Sequence, residues 1–165
     1  MLESEYIPTG PYFIRSGKRT GKSLEEFMFK DYCWLVFMKN RMDASLKPGS
    51  KQNAMHAHLL WLLERGENRV APPLCPYCRE KNISFFAYSY KENKYYTCCD
   101  KWHPCIGQML SKADKHPLKF SSIARFQYGS RPYISAFLKS VFFPGRENLT
   151  AVQLFEFFSV PSPGK

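Results

Sequence analysis

Five of the six cysteines lie in one stretch of the chain, where their spacing could bind a metal ion. Cys75 and Cys78 form a C-x-x-C pair, and Cys98, Cys99 and Cys105 follow after an aromatic segment. Zinc takes four nitrogen or sulfur ligands in a tetrahedron, at about 2.0–2.3 Å. Two groups of thiols separated by an insert therefore predict a structural zinc (Zn2+) site.

The second half of this predicted site has alternatives. Successive strand residues point to opposite faces, so only one of Cys98 and Cys99 is expected to bind. Pro104 is typical of a first helical residue in a helix reaching Ala113, which would put Cys105 where the helix dipole stabilises a thiolate. His103 replaces Cys105 if the fourth ligand is a nitrogen. The expected ligands are Cys75, Cys78, Cys99 and Cys105, with Cys98 and His103 as alternatives.

A β-hairpin is the element that must bring the two cysteine groups together. Residues 83–90 and 95–99 are rich in β-branched and aromatic side chains, and the polar residues Lys91–Lys94 suit a turn. The stretch from Cys75 to Cys105 resembles a zinc ribbon or zinc finger. Thiols are in surplus, which favours a closed structural site over a catalytic zinc that keeps a water ligand.

Two other kinds of chemistry compete for these cysteines. The sequence C-P-Y-C at residues 75–78 is identical to the glutaredoxin active-site motif, but that motif follows a buried strand. Here Pro72 and Pro73 come before it, and two prolines do not suit a central strand. A disulfide framework is disfavoured because residues 1–10 have no secretory character, which predicts an intracellular, cytoplasmic protein.

The chain is strongly basic. Its 24 lysines and arginines against 14 acidic residues give a net charge of +10. This surplus makes nucleic acid, DNA or RNA, the leading partner class, with a basic protein that binds none as the alternative. No apolar run approaches the roughly 18 residues of a membrane span, so no membrane partner is expected.

A glycine- and lysine-rich turn lies near the start of the chain. Only three residues separate Gly17 from Gly21, one too few for the phosphate-binding loop of nucleotide hydrolases. Ser23 with Glu26 instead forms a predicted capping box that begins a helix. A second helix is predicted over Asp31–Arg41.

The run Gly17-Lys18-x-x-Gly21-Lys22-Ser23, followed by Tyr32-x-Trp34-Leu35, resembles the C-terminal accessory module of exodeoxyribonuclease X-like proteins. The resemblance covers residues 9–42 and implies association with nucleic acid. The exonuclease domain that this module accompanies has no counterpart here, so cleavage is not implied. The cations that suit phosphate contact in this turn are Arg15, Lys18, Arg19 and Lys22.

The predicted hairpin alternates aromatic residues with cations. Aromatic platforms beside cations are typical of single-strand binding, although aromatic residues also pack around small metal sites. The cations predicted to bind nucleic acid here are Arg79, Lys81, Lys91, Lys94 and Lys101.

The remaining pattern is helical. Helices are predicted over Asn53–Arg65, where Gly66 is the expected stop, over Pro132–Phe143, and over Leu149–Val160 with Asn148 as its cap; residues 116–131 are expected to be irregular. His56 and His58 are interpreted as surface or packing residues and not as a metal pair. The chain is thus predicted to be α+β, with an α-rich module at 1–70, a zinc-ribbon-like unit at 71–120 and a helical segment at 121–165.

Together these features predict a non-catalytic, zinc-stabilised nucleic-acid-binding protein, an accessory subunit of a larger nucleoprotein or nucleic-acid-processing complex. The alternative is a protein–protein adaptor whose scaffold is held by zinc. A nuclease or thiol-redox enzyme is the least favoured function, because no paired carboxylates, Ser-His-Asp arrangement or open zinc site is recognisable in the sequence.

Overall fold

The structure, a computed structural model, describes residues 6–47, 53–101, 115–126 and 131–161. Helices and a small antiparallel sheet make this part of the chain a mixed α+β protein, as predicted. None of the described helices is long and apolar enough to cross a membrane. In chain order the elements are α1 (Leu24–Lys30), α2 (Tyr32–Ser45), α3 (Ala54–Glu67), β1 (Phe85–Ser89), β2 (Lys94–Cys98), β3 (Lys115–Pro117), α4 (Phe120–Phe126), α5 (Arg131–Phe142) and α6 (Ala151–Ser159).

Internal contacts divide the chain into two units. The helical unit comprises Met1–Asn68 and Asn148–Lys165, and the hairpin unit comprises Arg69–Glu147. The predicted segment 121–165 is divided between the two, because α6 packs its aromatic side chains on α1. The division into modules at 1–70, 71–120 and 121–165 stays a prediction.

The helical unit begins with a short antiparallel ladder closed by a turn. The Ile14 N–H donates to the Lys22 carbonyl, and the Gly21 N–H donates to the Ile14 carbonyl, both at 2.9 Å. Gly17 and Gly21 have φ angles of +84° and +80°, in the left-handed region that glycine adopts without a steric penalty. We call residues 15–22 the glycine turn; its closure fixes where its cations lie.

Both helices after the glycine turn begin at polar caps. The Ser23 Oγ accepts the Glu26 N–H at 3.3 Å, and the Glu26 carboxylate accepts the Ser23 N–H at 3.0 Å. This confirms the predicted capping box. Asp31 ends α1 and caps α2, where its Oδ1 accepts the Trp34 N–H at 3.3 Å.

Replacing Ser23 by alanine is expected to reduce the free energy of unfolding by about 1 kcal/mol, because one reciprocal cap bond is lost at a buried position. Urea unfolding followed by circular dichroism measures this change. The control is Ser16→Ala in the exposed glycine turn, which should leave the unfolding midpoint unchanged. Equal midpoints for the two variants would contradict the role of the cap.

Helix α3 begins one residue after its cap Asn53, whose side chain accepts the His56 N–H at 2.8 Å. The prediction that Gly66 stops this helix is wrong, because Gly66 is buried inside it. Asn68 ends the helix instead: its Nδ2 donates to the Glu64 carbonyl at 3.0 Å.

The cap of α6 also differs from the prediction. Thr150, not Asn148, is the cap, because Thr150 and Gln153 form a reciprocal capping box. The Gln153 N–H donates to the Thr150 hydroxyl at 3.2 Å, and the Thr150 N–H donates to the side-chain Oε1 of Gln153 at 3.0 Å. The helix then presents an apolar face to the core of the helical unit. Side chains of this core that are at most 3% exposed include Leu24, Met28, Leu35, Leu59, Leu62, Leu154 and Phe158.

The hairpin unit is built on a three-stranded antiparallel sheet in the order β2-β1-β3. The predicted hairpin is confirmed as a strand pairing, with Phe85 opposite Cys98 and Ser89 opposite Lys94. On the other edge, β3 pairs with β1 and puts Pro117 opposite Phe85. The prediction that residues 116–131 are irregular is wrong at two elements. Strand β3 pairs with β1, and helix α4 packs on α5.

Aromatic packing joins the sheet to the helices of this unit. The rings of Tyr95 and Phe137 stack at 4.2 Å with an angle of 16° between their planes, and Phe86 is fully buried beside them. Phe120 of α4 stacks on Phe142 of α5 at 5.3 Å. These contacts explain why α4 forms: its first residue buries a ring against the next helix.

Candidate metal centre

Three thiols converge in the hairpin unit. The Sγ atoms of Cys75, Cys78 and Cys99 all lie within 4.8 Å of one another, and those of Cys78 and Cys99 are 3.6 Å apart. Four thiolates bound tetrahedrally at about 2.3 Å from a zinc ion are separated by about 3.8 Å. The spacing and the all-sulfur donor set therefore fit a tetrahedral metal ion.

A tight turn holds the first two thiols. The Arg79 N–H donates to the Cys75 carbonyl at 2.9 Å, and the Cys75 N–H donates to the Lys81 carbonyl at 2.7 Å. Arg79 adopts a φ of +57°, which is uncommon for a residue with a side chain. The chain thereby reverses directly after Cys78 and keeps both thiols on the same side of the turn.

Backbone donors act on two of the thiols. The N–H groups of Glu80 and Lys81 donate to Cys78 and lower the pKa of its thiol to about 7. Burial raises the pKa of Cys99, although the Lys101 N–H donates to it and acts in the opposite direction. Because metals bind the thiolate, such N–H donors favour the form that coordinates.

The hairpin supplies the third thiol. Only one of Cys98 and Cys99 was expected to bind, and both are buried in one cluster with Cys75 and Ala87. Strand β2 ends at Cys98, and Cys99 follows directly after it. Of the two, only Cys99 is one of the three close thiols. Burial raises the pKa of the Cys98 thiol to about 11.

Two ion pairs cross between the turns that carry these thiols. The Lys81 Nζ lies 2.9 Å from Asp100, and the Lys101 Nζ lies 3.0 Å from Glu80. The Lys115 Nζ also donates to the Asp100 carbonyl at 3.1 Å. Residues 80–81 are thereby tied to residues 100–101, next to Cys78 and Cys99. Two cations predicted to bind nucleic acid, Lys81 and Lys101, are thus engaged within the protein.

The other predicted ligands are Cys98, Cys105 and His103. Cys98 is near the thiols but is not one of the three. Cys105 and His103 lie outside the described residues, so the fourth ligand stays a prediction. Cys105 is four positions after Lys101 in the sequence, and an extended chain of four residues spans up to about 13–14 Å.

The cations of the glycine turn differ in their exposure to solvent. Arg15, Lys18 and Lys22 are exposed. Arg19 is half-buried: its guanidinium lies 4.4 Å from the Trp34 ring centroid and 3.4 Å from Asp31. Arg19 therefore helps to hold the turn on α2, while the other three cations face solvent.

The remaining predicted cations belong to the hairpin unit. Arg79 and Lys91 are exposed, and the Lys94 Nζ lies 5.3 Å from the centroid of the Tyr96 ring. The hairpin cations and those of the glycine turn thus belong to different units.

Sequence reasoning missed a buried polar network in the helical unit. The His58 Nε2 lies 2.7 Å from the Glu25 Oε1, and the Tyr6 hydroxyl lies 3.2 Å from the His58 Nδ1. Glu25 and His58 are 0% and 1% exposed. His56 is also buried and lies 2.7 Å from Asp43. Both histidines therefore pack inside the protein with a carboxylate partner, and no sequence motif marks these long-range pairs.

A scan of protein-family models, a search of curated proteins and a search of solved structures each found no match to this chain. The resemblance of residues 9–42 to the exodeoxyribonuclease X accessory module therefore stays a prediction.

Proposed function

We propose that this protein is a non-catalytic, zinc-stabilised nucleic-acid-binding protein that serves as an accessory subunit of a larger nucleoprotein or nucleic-acid-processing complex. The observation that carries the proposal is the convergence of the thiols of Cys75, Cys78 and Cys99 in a chain with a net charge of +10. The metal stabilises the hairpin unit, and exposed cations bind phosphates.

Zinc is the metal that suits this ligand set. Soft thiolate ligands in a tetrahedral arrangement favour zinc over magnesium or calcium, which prefer oxygen. Cys75 and Cys99 are both 0% exposed, which suits a closed structural site without a water ligand. We propose Cys105, with His103 as the alternative, as the fourth ligand. Metal-binding thiols also suit a reducing, cytoplasmic location.

The charge distribution supports phosphate binding. Several described carboxylates are engaged within the protein, including those of Glu25, Asp31, Glu80 and Asp100. Arg15, Lys18 and Lys22 of the glycine turn are meanwhile exposed on a backbone fixed by two glycines. Preordered cations of this kind neutralise phosphates without reading the base sequence.

The double variant Lys18→Ala/Lys22→Ala is expected to weaken nucleic-acid binding, because two phosphate contacts are lost. The slope of log K against log salt concentration should become shallower by about 2, roughly one for each contact. Fluorescence anisotropy with a labelled oligonucleotide between 50 and about 200 mM salt measures this slope.

The matched control is Lys30→Ala/Lys39→Ala, which removes the same charge from lysines that pair with Glu26 and Asp43 on their own helices. Equal slopes for the two double variants would contradict phosphate contact at the glycine turn. A folded, metal-loaded wild-type protein with no affinity for DNA or RNA would contradict nucleic-acid binding and favour the protein–protein adaptor.

A further inference from the structure

The tip of the hairpin carries an aromatic side chain that the core does not bury. Phe86, Tyr88 and Tyr95 are at most 8% exposed, whereas Tyr90 is 75% exposed. Tyr90 directly follows the last residue of β1. We call residues 90–94 the hairpin tip. Phe86, Tyr88 and Tyr95 therefore pack inside the hairpin unit, whereas the ring of Tyr90 is exposed at the hairpin tip.

The hairpin tip is held by several contacts. The Tyr133 hydroxyl of α5 donates to the Asn93 carbonyl at 3.2 Å, and the Tyr88 hydroxyl donates to the Asn93 side chain. Tyr133 also stacks on Tyr95 at 5.4 Å. The rings of Tyr88 and Tyr90 meet at 5.1 Å with nearly perpendicular planes. Tyr90 is thus displayed from a fixed support, which lowers the entropic cost of binding to it.

Exposed cations belong to the hairpin tip and to the helix that contacts it. Lys91 is exposed at the hairpin tip, and Lys94 closes the tip above the Tyr96 ring. Arg131 is exposed in the first turn of α5, two residues before the Tyr133 that contacts the tip. The one carboxylate of the tip, Glu92, accepts a hydrogen bond from the Tyr96 hydroxyl. An exposed ring on a hairpin tip that also carries cations complements an unpaired base with its flanking phosphates.

We propose that the hairpin tip binds single-stranded nucleic acid by stacking an unpaired base on Tyr90, while Lys91, Lys94 and Arg131 contact the neighbouring phosphates. This inference rests on the proposed function and assigns the strandedness of the ligand. A duplex covers the faces of its bases by stacking them on one another, so an aromatic ring gains contact only with unstacked bases. The tip therefore prefers single strands of DNA or RNA to duplexes.

Fluorescence anisotropy of the full chain tests this with a labelled 12-nucleotide single strand and the matching duplex at one salt concentration. Tyr90→Ala is expected to weaken single-strand binding roughly tenfold and to leave duplex binding unchanged. Tyr90→Phe keeps the ring and should bind the single strand as the wild type does. Phe37→Ala removes an exposed aromatic residue beside Arg41 in the helical unit, and this control should also bind normally.

Three results would overturn the inference while the proposed function stands: unchanged single-strand affinity in Tyr90→Ala, an equal loss in Phe37→Ala, or tighter wild-type binding to the duplex. Wild-type protein that binds neither oligonucleotide would instead overturn the proposed function, and the inference with it. A tenfold loss of affinity that occurs only in Tyr90→Ala and only for the single strand supports both the proposed function and the inference.

Discussion

Replacing Cys99 by serine is expected to abolish metal binding and to unfold the hairpin unit, whereas replacing the adjacent Cys98 by alanine should do neither. Cys99 is one of the three thiols within 4.8 Å of one another, and Cys98 is not. Both side chains are at most 2% exposed, so the two substitutions remove equally buried sulfur atoms from neighbouring positions.

The expected size of the effect follows from what a structural metal supplies. Zinc contributes on the order of 10–16 kcal/mol of apparent binding free energy in zinc-finger peptides. Most domains are stable by only about 5–15 kcal/mol. Loss of the ion therefore removes an energy comparable with the whole stability of the hairpin unit. Cys98→Ala instead removes one buried sulfur atom, which costs about 1 kcal/mol of packing.

Elemental analysis combined with thermal unfolding separates the two variants. Cys98→Ala should retain one zinc per chain and a cooperative transition, and Cys99→Ser should have neither in the hairpin unit. Cys33→Ser, at an exposed thiol of the helical unit, controls for loss of a cysteine as such. Equal metal content in the Cys98 and Cys99 variants would contradict the assignment of Cys99.

Replacing His58 by leucine is expected to destabilise the helical unit by about 3–5 kcal/mol, because it leaves the Glu25 carboxylate buried and unpaired. The Glu25 Oε2 already has no hydrogen-bond partner among the described residues, so His58 provides the bond that this carboxylate retains. His58 also contacts the rings of Tyr12, Trp61 and Phe155. It thereby joins the N-terminal segment, α1, α3 and α6.

A double-variant cycle distinguishes this pairing from simple packing. In Glu25→Leu/His58→Leu no carboxyl group is left buried without its partner, so the double variant should be more stable than His58→Leu alone. Urea unfolding at neutral pH measures the four stabilities of the cycle. Additive losses would contradict a direct interaction between the two side chains.

His56 offers the matched control for this cycle. It is as buried as His58, but its partner Asp43 is partly exposed and also lies 2.6 Å from Lys39. His56→Leu should therefore lose clearly less stability than His58→Leu. A similar loss in the two variants would indicate that ring packing, and not the pairing of Glu25, is the main contribution.

Local signals in the sequence predict much of this fold. The capping box of Ser23 and Glu26, the helix that follows Asn53 and the strands around Lys91–Lys94 all depend on neighbouring residues, and all are present. The capping box of Thr150 and Gln153 is equally local. Asn148 also has the chemistry of a cap, so residue type alone did not distinguish the two positions.

Long-range pairings explain what the sequence did not predict. Lys115–Pro117 is too short and too poor in β-branched residues to indicate a strand, and it pairs because the edge of β1 is beside it. Glu25 has the position of an acidic residue in the first turn of a helix, which is usually exposed. It is buried because His58, 33 positions later, folds against it.

The candidate metal site depends on both local signals and long-range pairings. Cys75 and Cys78 follow from their C-x-x-C spacing alone. Strand alternation predicted that only one of Cys98 and Cys99 binds, and the convergence of Cys99 also needs the hairpin register that brings the end of β2 to the other thiols. The ion pairs that cross between residues 80–81 and 100–101 have no local signal, because each joins residues 19 to 21 positions apart.

Native mass spectrometry of the full chain, purified without added metal or affinity tag, tests the central claim most directly. We expect a compact charge-state distribution with one zinc ion per chain, and a shift to unfolded charge states once a strong chelator removes the zinc. A compact chain without metal, or a chain that stays compact after chelation, would contradict a fold that depends on zinc at Cys75, Cys78 and Cys99.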